Sequence, residues 1–434
     1  MKNKKIWNVL VFPGGTENGL EINRSLRYSK EVELFSISNG VKNHADYMYK
    51  NHFVISDINN KGCIDELNKI IIENKIDFIF PANSLIIDFL IENRNQLASR
   101  IIQPNDAAVK ITRSKMKTYE LFKGKLAVPK TFKIHEIKTN NLPVFIKPDN
   151  MYGSQGVRKI ETLDEIKNID IDLSGFIISE FLPGDEYTVE CFSNKYDGVL
   201  YCSSRSRERI RMGTTMHSEK APMAVQKIVE EYANIIFDEL KIFGLWFFQV
   251  KYSSKKILTL LEIETRVAGT MAFSRALGVN LPLANLYIAD GKRVSLEQQK
   301  YELIIDRSLA NRYKTDIKFN KVYIDLDDTI ILKNRINTDI IKFIYQCINK
   351  NIKLILISKS IENDKNRLLK KYKLDNLFDE IIWLKEVESK ANYISDKQSI
   401  FIDDSFSERL EVEKKCEIFT FEPNMIEVLL DEKN

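Results

Sequence analysis

The sequence is poor in the signals that mark several protein classes. Its 434 residues hold only 16 Gly and 10 Pro, too few for collagen-like or long disordered stretches. The five cysteines, at 63, 191, 202, 347 and 416, show neither paired nor metal-type spacing. That pattern argues for reduced thiols and a cytoplasmic setting rather than a disulfide scaffold. No apolar run approaches the roughly 18 residues of a membrane-spanning helix. The basic start, Met1 to Lys5, meets Pro13-Gly14-Gly15 too soon for a signal peptide, so no membrane partner is expected. A net charge of +4 is small for this length and lacks the concentrated basic face of a nucleic-acid binder, so no nucleic acid is expected either.

What is present is core material: 44% of the residues are hydrophobic, and a chain of this length suggests about three units. The first unit alternates strands (Trp7 to Phe12, Val32 to Ile37, Phe78 to Pro81) with helical stretches (Leu20 to Arg27, Asp65 to Glu73), which reads as a three-layer parallel sheet. Its turn, Pro13 to Gly19, does not match G-x-G-x-x-G, so a dinucleotide site there is poorly supported. From Ile111 the texture changes. A helix opens at Lys115, and strands at Phe176–Ser179, Tyr187–Phe192, Tyr201–Arg211, Phe247–Tyr252 and Ile257–Glu264 suggest one antiparallel sheet. A helix from Pro222 to Phe243 interrupts them, with proline suited to its first turn. Gly291 to Asn320 reads as a helix plus linker, and a compact βα unit ends the chain. The fold class is therefore α/β and α+β multidomain, with units at 1–108, 109–305 and 320–434 and a linker at 306–319.

The middle unit carries oxygen ligands and cations. Lys115 and Lys147 stand at element boundaries and are candidate phosphate neutralisers, although either alone would read as solvated surface charge. The loop Gly153-Ser154-Gln155-Gly156 can bring backbone N–H groups close to phosphate oxygens. Glu180-Phe181-Leu182 begins an extended hinge, running to Glu186, that could offer backbone groups to a base and a carboxylate to a ribose. Glu262 and Glu264 share a strand face, with Gln249 on the preceding strand as a third hard ligand for magnesium. Arg205, Arg207, Arg209 and Arg211 alternate along a strand, so all four should face one way. Such a row repels itself unless an anion sits among it, which points to an anionic substrate.

Residues from about 5 to 305 resemble ATP-grasp enzymes, closest to the carbamoyl-phosphate-synthase large-subunit-like branch. The matching pieces are the Lys115 helix, Pro143 to Pro148 with its glycine loop, Ile178 to Glu190, Gln249, Glu262 to Arg266, and Ala268-Gly269-Thr270. The resemblance implies a Rossmann-like domain before an ATP-grasp domain of two α+β subdomains. It implies ATP contacts from Lys115, Lys147, Gly153, Ser154, Gly156, Glu180, Phe181, Leu182 and Glu186, with Mg²⁺ or Mn²⁺ on Gln249, Glu262 and Glu264. Arg266 would steady an acyl phosphate, and Arg205, Arg207 and Arg209 would meet substrate. The family often has Asn where Glu264 stands, so this chain adds a negative charge there.

The last unit has four pieces in order. Asp325-Leu326-Asp327-Asp328-Thr329 follows an apolar strand; Leu354 to Ser358 is a second strand; Lys390 follows Glu388-Ser389; Ile400 to Ile402 leads into Asp403-Asp404. Parallel strands with polar residues at their carboxyl ends make a site at one sheet edge. The set resembles the haloacid dehalogenase (HAD) superfamily of phosphotransferases. The resemblance implies Asp325 as nucleophile, Asp327 as general acid/base, Ser358 and Lys390 on the phosphoryl group, and Asp403 or Asp404 with Asp325 and Asp327 on Mg²⁺. Lys385 competes with Lys390. The gaps between pieces hold only a helix and turns, so a capless, Rossmannoid domain is expected.

Together these readings suggest a bifunctional enzyme: an ATP-dependent carboxylate–amine ligase joined to a magnesium-dependent phosphatase, in surface-polysaccharide or small-metabolite biosynthesis. Its partners would be a small anionic carboxylate and an amine or other nucleophile, with self-association left open. The alternative makes the HAD-like unit a non-catalytic lid or phosphate sensor.

Overall fold

The structure is a computed structural model, and it describes residues 6–150, 156–169, 172–211, 213–359 and 365–433. Two compact units emerge, Met1–Leu309 and Ala310–Asn434.

Unit 1 opens with β1 (Trp7–Phe12), β2 (Val32–Asn39), β3 (Asn51–Ile55), β4 (Phe78–Pro81) and β5 (Arg100–Ile101), all parallel in the order β3-β2-β1-β4-β5. β1 is buried on both faces. Trp7, Val9 and Val11 enter one core, Leu10 and Phe12 another, which is why its sequence is a continuous apolar run. Thr16 caps the helix Glu17–Leu26 by accepting from Gly19 N–H at 3.2 Å. Gly19 has no substitute: a Cβ there would lie 2.3 Å from the Pro13 carbonyl oxygen.

A small antiparallel sheet follows, formed by β6 (Thr131–Phe132), β7 (Val144–Pro148), β8 (Arg158–Ile160) and β9 (Phe176–Glu180) in the order β6-β9-β7-β8. Beyond it come β10 (Glu186–Asn194), β11 (Gly198–Ser206), β12 (Glu208–Arg211), β13 (Thr214–Glu219), β14 (Gly244–Tyr252), β15 (Leu258–Glu264) and β16 (Ile304–Asp306). Four of them make a second antiparallel sheet in the order β11-β10-β14-β15, and β12-β13-β16 make a third. One face of the second sheet, including Val189, Cys191, Trp246, Phe248, Leu260 and Ile263, packs on Val225, Val229, Ala233 and Ile236 of the helix Met223–Leu240.

Four expectations need correction. Phe176–Glu180 pairs in the small sheet, because residues 181–185 carry no regular structure and separate it from β10. The arginine row does not share one face. Arg205 lies in β11, Arg207 between strands, and Arg209 in β12 with a left-handed φ of 38°, so the alternation breaks after Ser206. Gly291 to Asn320 forms no helix among the described residues; polar and poor in aliphatics, it contributes only β16, paired to β13. Pro222 precedes the helix as its cap rather than lying in the first turn.

A bulge adjusts the phase of β15. Gln249 pairs with Glu262 but Val250 pairs with Leu260, leaving Leu261 as the extra residue. Strict alternation would put residues 260 and 262 on one face. The bulge sends Leu260 to the core and Glu262 to the opposite face, and the Leu261 carbonyl accepts from Tyr119 Oη at 2.8 Å.

Unit 2 is a parallel five-stranded sheet. Its strands are β17 (Lys321–Ile324), β20 (Lys353–Ser358), β21 (Glu380–Trp383), β22 (Ser399–Ile402) and β23 (Phe419–Phe421), in the order β21-β20-β17-β22-β23; a two-stranded hairpin, β18 (Ile331–Leu332) and β19 (Arg335–Ile336), follows β17. The chain winds outward from β17 through β20 and β21, then restarts on the other side at β22. That reversal opens a crevice at the carboxyl end of β17, the general place for a site in such sheets.

Candidate functional site

In unit 1 a cavity of about 430 Å³ is walled by residues from both subdomain sheets and from the loops of the N-terminal sheet. Lys115, Lys147, Glu180, Phe181, Leu182, Glu186, Arg207, Gln249, Glu262 and Arg266 all line it. Gly156 is described, with φ at +68°, but is not part of the lining, and Gly153 and Ser154 lie outside the described residues. Lys115 opens its helix behind the cap Ser114, and its Nζ donates to the Asp149 carbonyl at 3.2 Å. Lys147 ends β7, and its Nζ donates to Tyr119 Oη at 2.9 Å. Phe181 stacks on Phe145 with ring centres 5.7 Å apart, shaping an apolar slot beside Glu180.

Burial sets the electrostatics. Desolvation pushes Lys147 down to about 8, against the pull of Glu262, Glu186 and Asp149. Lys115 is lowered for the same reason, with Glu262 opposing. Glu262 is raised, first by burial and then by Glu264. Half-buried, partly desolvated lysines and a carboxylate of the same kind, each unfavourable alone, fit a ligand that brings phosphate oxygens and a divalent cation together. Among the described residues no three His, Cys, Asp or Glu side chains are grouped to hold a metal. Gln249 and Glu262 nonetheless offer the hard oxygens that magnesium needs when nucleotide phosphates supply the rest.

Three predicted residues stand back from the cavity. Glu264 is not part of its lining; it accepts from Ser84 Oγ at 2.8 Å and from Arg266 Nη2 at 3.3 Å. Arg205 has no exposed surface, pairs with Glu190 at 3.2 Å and donates to Thr270 Oγ1 at 2.6 Å, so it touches no ligand directly. Arg209 pairs with Asp306 at 2.8 Å on the exterior. Ser84 is the residue that sequence reasoning missed: it also accepts from Arg266 Nε at 2.9 Å. Its only signal was a polar Asn83-Ser84 pair closely following an apolar strand.

In unit 2, Lys390 Nζ donates to Asp325 Oδ1 and Asp403 Oδ2, each at 2.6 Å, and all three residues are buried. Burial raises Asp325 to about 7, with Asp403 and Asp327 adding to the rise while Lys390 opposes it. Asp403 is also raised by burial. Burial works against the charge on Lys390, yet the two carboxylates hold its pKa above the ordinary value. Ser358 ends β20, buried, at the same sheet edge. Lys390 sits in a 3₁₀ turn, Lys390–Tyr393, whereas Lys385 is exposed.

Asp403 joins the cluster and Asp404 does not. Asp404 is exposed, and its N–H donates to Thr329 Oγ1 at 3.0 Å. Asp327 is exposed as well, with Asp328 beside it in the left-handed region at φ 54°. Two carboxylates around one lysine leave a net negative charge, so the donor set of Asp325 and Asp403 fits a divalent cation. Arg409, not anticipated, donates to the carbonyls of Asp403 and Asp404 at 2.7 Å each and fixes the loop after β22.

Comparisons with known proteins follow this division. Residues 172–309 match the family described as ATP-grasp in the biosynthetic pathway with Ter operon. The biotin carboxylase domain of Hydrogenobacter thermophilus 2-oxoglutarate carboxylase, solved with magnesium-ADP and bicarbonate, superposes with a TM-score of 0.58 at 14% identity, over 68% of this chain and 72% of that one. The N5-carboxyaminoimidazole synthetase of Staphylococcus aureus gives 0.55 at 13%, over 70% and 83%. The L-amino acid ligase of Bacillus licheniformis gives 0.53 at 14%, over 65% and 74%. No curated protein matches the chain. No helix among the described residues is long and apolar enough to cross a membrane. Over the 65–70% of the chain that superposes, it shares the fold of these enzymes, and residues 172–309 match an ATP-grasp family, a match that ends at the last residue of unit 1.

Proposed function

We propose that unit 1 is an ATP-dependent ligase that activates a carboxylate as an acyl phosphate for capture by an amine or another nucleophile. The observation that carries this reading is the single cavity gathering Lys115, Lys147, Glu186, Gln249, Glu262 and Arg266. Lys115 and Lys147 neutralise polyphosphate oxygens, the 180–182 segment receives the base, and Glu186 meets the ribose. Gln249 and Glu262 hold the cation, with Glu264 behind them, and Arg266 balances charge on the activated carboxyl. The likeness to an L-amino acid ligase and to N5-carboxyaminoimidazole synthetase supports ligation over other uses of ATP. The test is ADP release against mixtures of carboxylates and amines, with mass analysis of the product. Carboxylate-independent ATP hydrolysis alone would count against a ligase.

Unit 2, in this reading, is a phosphatase. Asp325 attacks phosphorus as the ester P–O bond breaks, Asp327 gives a proton to the departing oxygen and then takes one from the water that hydrolyses the aspartyl phosphate, and Lys390 offsets the repulsion between carboxylate and phosphoryl group. The carrying observation is Lys390 bridging Asp325 and Asp403 at 2.6 Å each. Magnesium bound in either unit would supply positive charge to phosphate oxygens and keep the flanking carboxylates ionised. Asp325→Asn abolishes phosphatase turnover and spares ADP release; full phosphatase activity in that variant would remove Asp325 as nucleophile. Failure to hydrolyse any ester of a broad panel with magnesium would instead favour a phosphate sensor.

A further inference from the structure

Two arginines, Arg207 and Arg266, line the cavity of unit 1 and two more, Arg205 and Arg307, lie behind it, and each already has a carboxylate. Arg207 pairs with Glu186 at 2.6 Å, Arg266 with Glu264 at 3.3 Å, Arg205 with Glu190 at 3.2 Å, and Arg307 with Glu17 at 3.1 Å. A polyanion entering here would find little uncompensated positive charge. Hydroxyl and amide groups dominate the same wall: Thr16, Asn18 and Asn83 from the helix starts that follow β1 and β4, Thr188 from β10, and Thr214 and Thr215 from β13. Phe247 is the large ring there, and Arg266 covers it at 5.2 Å.

Thr188 and Thr215 stand apart from the others. They are 2% and 3% exposed, they line the cavity, and neither Oγ1 has a hydrogen-bond partner among the described residues. Buried hydroxyls in native proteins are rarely left so. Register explains where Thr188 points. It pairs with Arg205 on one side and Gln249 on the other, and Gln249 pairs with Glu262, so the four residues form one rung across the sheet. Thr188 thus adjoins the place where the phosphoryl group would meet the carboxylate. A threonine hydroxyl both donates and accepts, which suits a ligand hydroxyl.

We propose that this wall binds a hydroxyl-rich carboxylic acid of single negative charge, of the aldonic or uronic acid class, with Thr188 and Thr215 bonding its hydroxyls. The inference rests on the ligase reading for its chemistry but not for its binding test. Gluconate and glucuronate serve as probes, against succinate as a dianion and leucine as an apolar acid. ADP release is measured for each, and the thermal shift each produces is measured with a non-hydrolysable ATP analogue present. Thr188→Val and Thr215→Val keep the shape and remove the hydroxyl.

Gluconate or glucuronate should be the preferred acid. Each valine variant should raise its KM about tenfold, the effect of one lost hydrogen bond, with kcat and analogue affinity unchanged. The unliganded variants should melt no lower than the parent, since a hydroxyl without a partner adds nothing to the empty fold, while the sugar-acid shift shrinks. Preference for succinate or leucine overturns the proposal, and so do valine variants that weaken the ATP analogue instead of the acid. Sugar acids that bind through these threonines without releasing ADP would sink the ligase reading and keep the subsite. ADP release indifferent to both variants would do the reverse.

Discussion

The two units present opposite electrostatic states around similar groups. In unit 1 Lys147 is half-buried, with no carboxylate in contact among the described residues, and desolvation lowers its pKa to about 8. In unit 2 Lys390 is buried between two carboxylates, and its pKa rises. The first site is short of an anion, which on the proposed reading a polyphosphate supplies. The second is already neutralised in part and carries an excess of carboxylate, so on the proposed reading a divalent cation would offset that charge beside a phosphoryl group. A desolvated cation thus reports what its site lacks.

The sharpest way to break this contrast is to remove the cation that is already paired. Lys390→Met leaves Asp325 and Asp403 buried without a counter-charge, which should cost unit 2 about 3–5 kcal/mol. Thermal unfolding should show one transition moving down and the other staying, and phosphatase activity should vanish. A variant with an unshifted melt would mean that the cluster is not the buried, lysine-dependent network described.

The counterpart in unit 1 should respond to pH rather than collapse. Lys147 has a folded pKa of about 8 against 10.5, so between those values the folded unit binds fewer protons than the unfolded chain. Its contribution to stability therefore rises with pH across that window. If Lys147 neutralises nucleotide phosphate as proposed, binding needs the charged form, so ATP affinity should fall as pH rises through about 8, with proton uptake on binding in calorimetry run in buffers of different ionisation enthalpy. Lys147→Met should lose a charge-assisted bond of about 1.5–3 kcal/mol and abolish that pH dependence. An unchanged uptake in the variant would move the effect to another group.

A smaller effect tests how the N-terminal sheet supports the reacting end. Ser84→Ala removes the hydroxyl shared by Arg266 and Glu264, which remain paired at 3.3 Å. The expected cost is about 1 kcal/mol in kcat, or roughly fivefold, with nucleotide affinity intact. Weakened nucleotide binding would assign Ser84 to the nucleotide rather than to Arg266.

The same contrast separates what the sequence could disclose from what it could not. β1 and β17 are apolar runs and the Lys115 helix opens behind a capping serine, local patterns that the sequence carries by itself. The turn of Glu262 toward the cavity depends on the Leu261 bulge, which exists only relative to β14. The arginine row failed because one left-handed residue and a change of sheet interrupt a pattern that looks continuous. Ser84 meets Glu264 from 180 residues away, beyond any spacing rule. Lys390, not Lys385, is the lysine that meets Asp325 and Asp403 just past the ends of β17 and β22, a placement that neither lysine's neighbours in sequence disclose.

The weakest expected effect lies on the wall that carries Thr214 and Thr215. His217, in β13, bonds Asp306 of β16 through Nδ1 at 3.0 Å and Glu219 through Nε2 at 3.4 Å, with Glu208 of β12 at 4.0 Å and Arg209 on the far side of Asp306. The hydrogen bonds to Asp306 and Glu219 raise its pKa above 6.5. A histidine raised in this way lends its full stabilisation below the unfolded value and loses it as pH rises through the folded one. The pairing of β13 with β16 should therefore loosen on the alkaline side of that folded value, seen as faster pH-corrected amide exchange at residues 217–219. The group is solvent-facing, so about 1 M salt, which screens charges beyond about 3 Å, should erase the effect. The buried Lys390 cluster should ignore the same salt. If exchange at β13 is flat with pH, or if salt moves unit 2 as much as the hairpin, the distinction between a screened wall and a buried network fails.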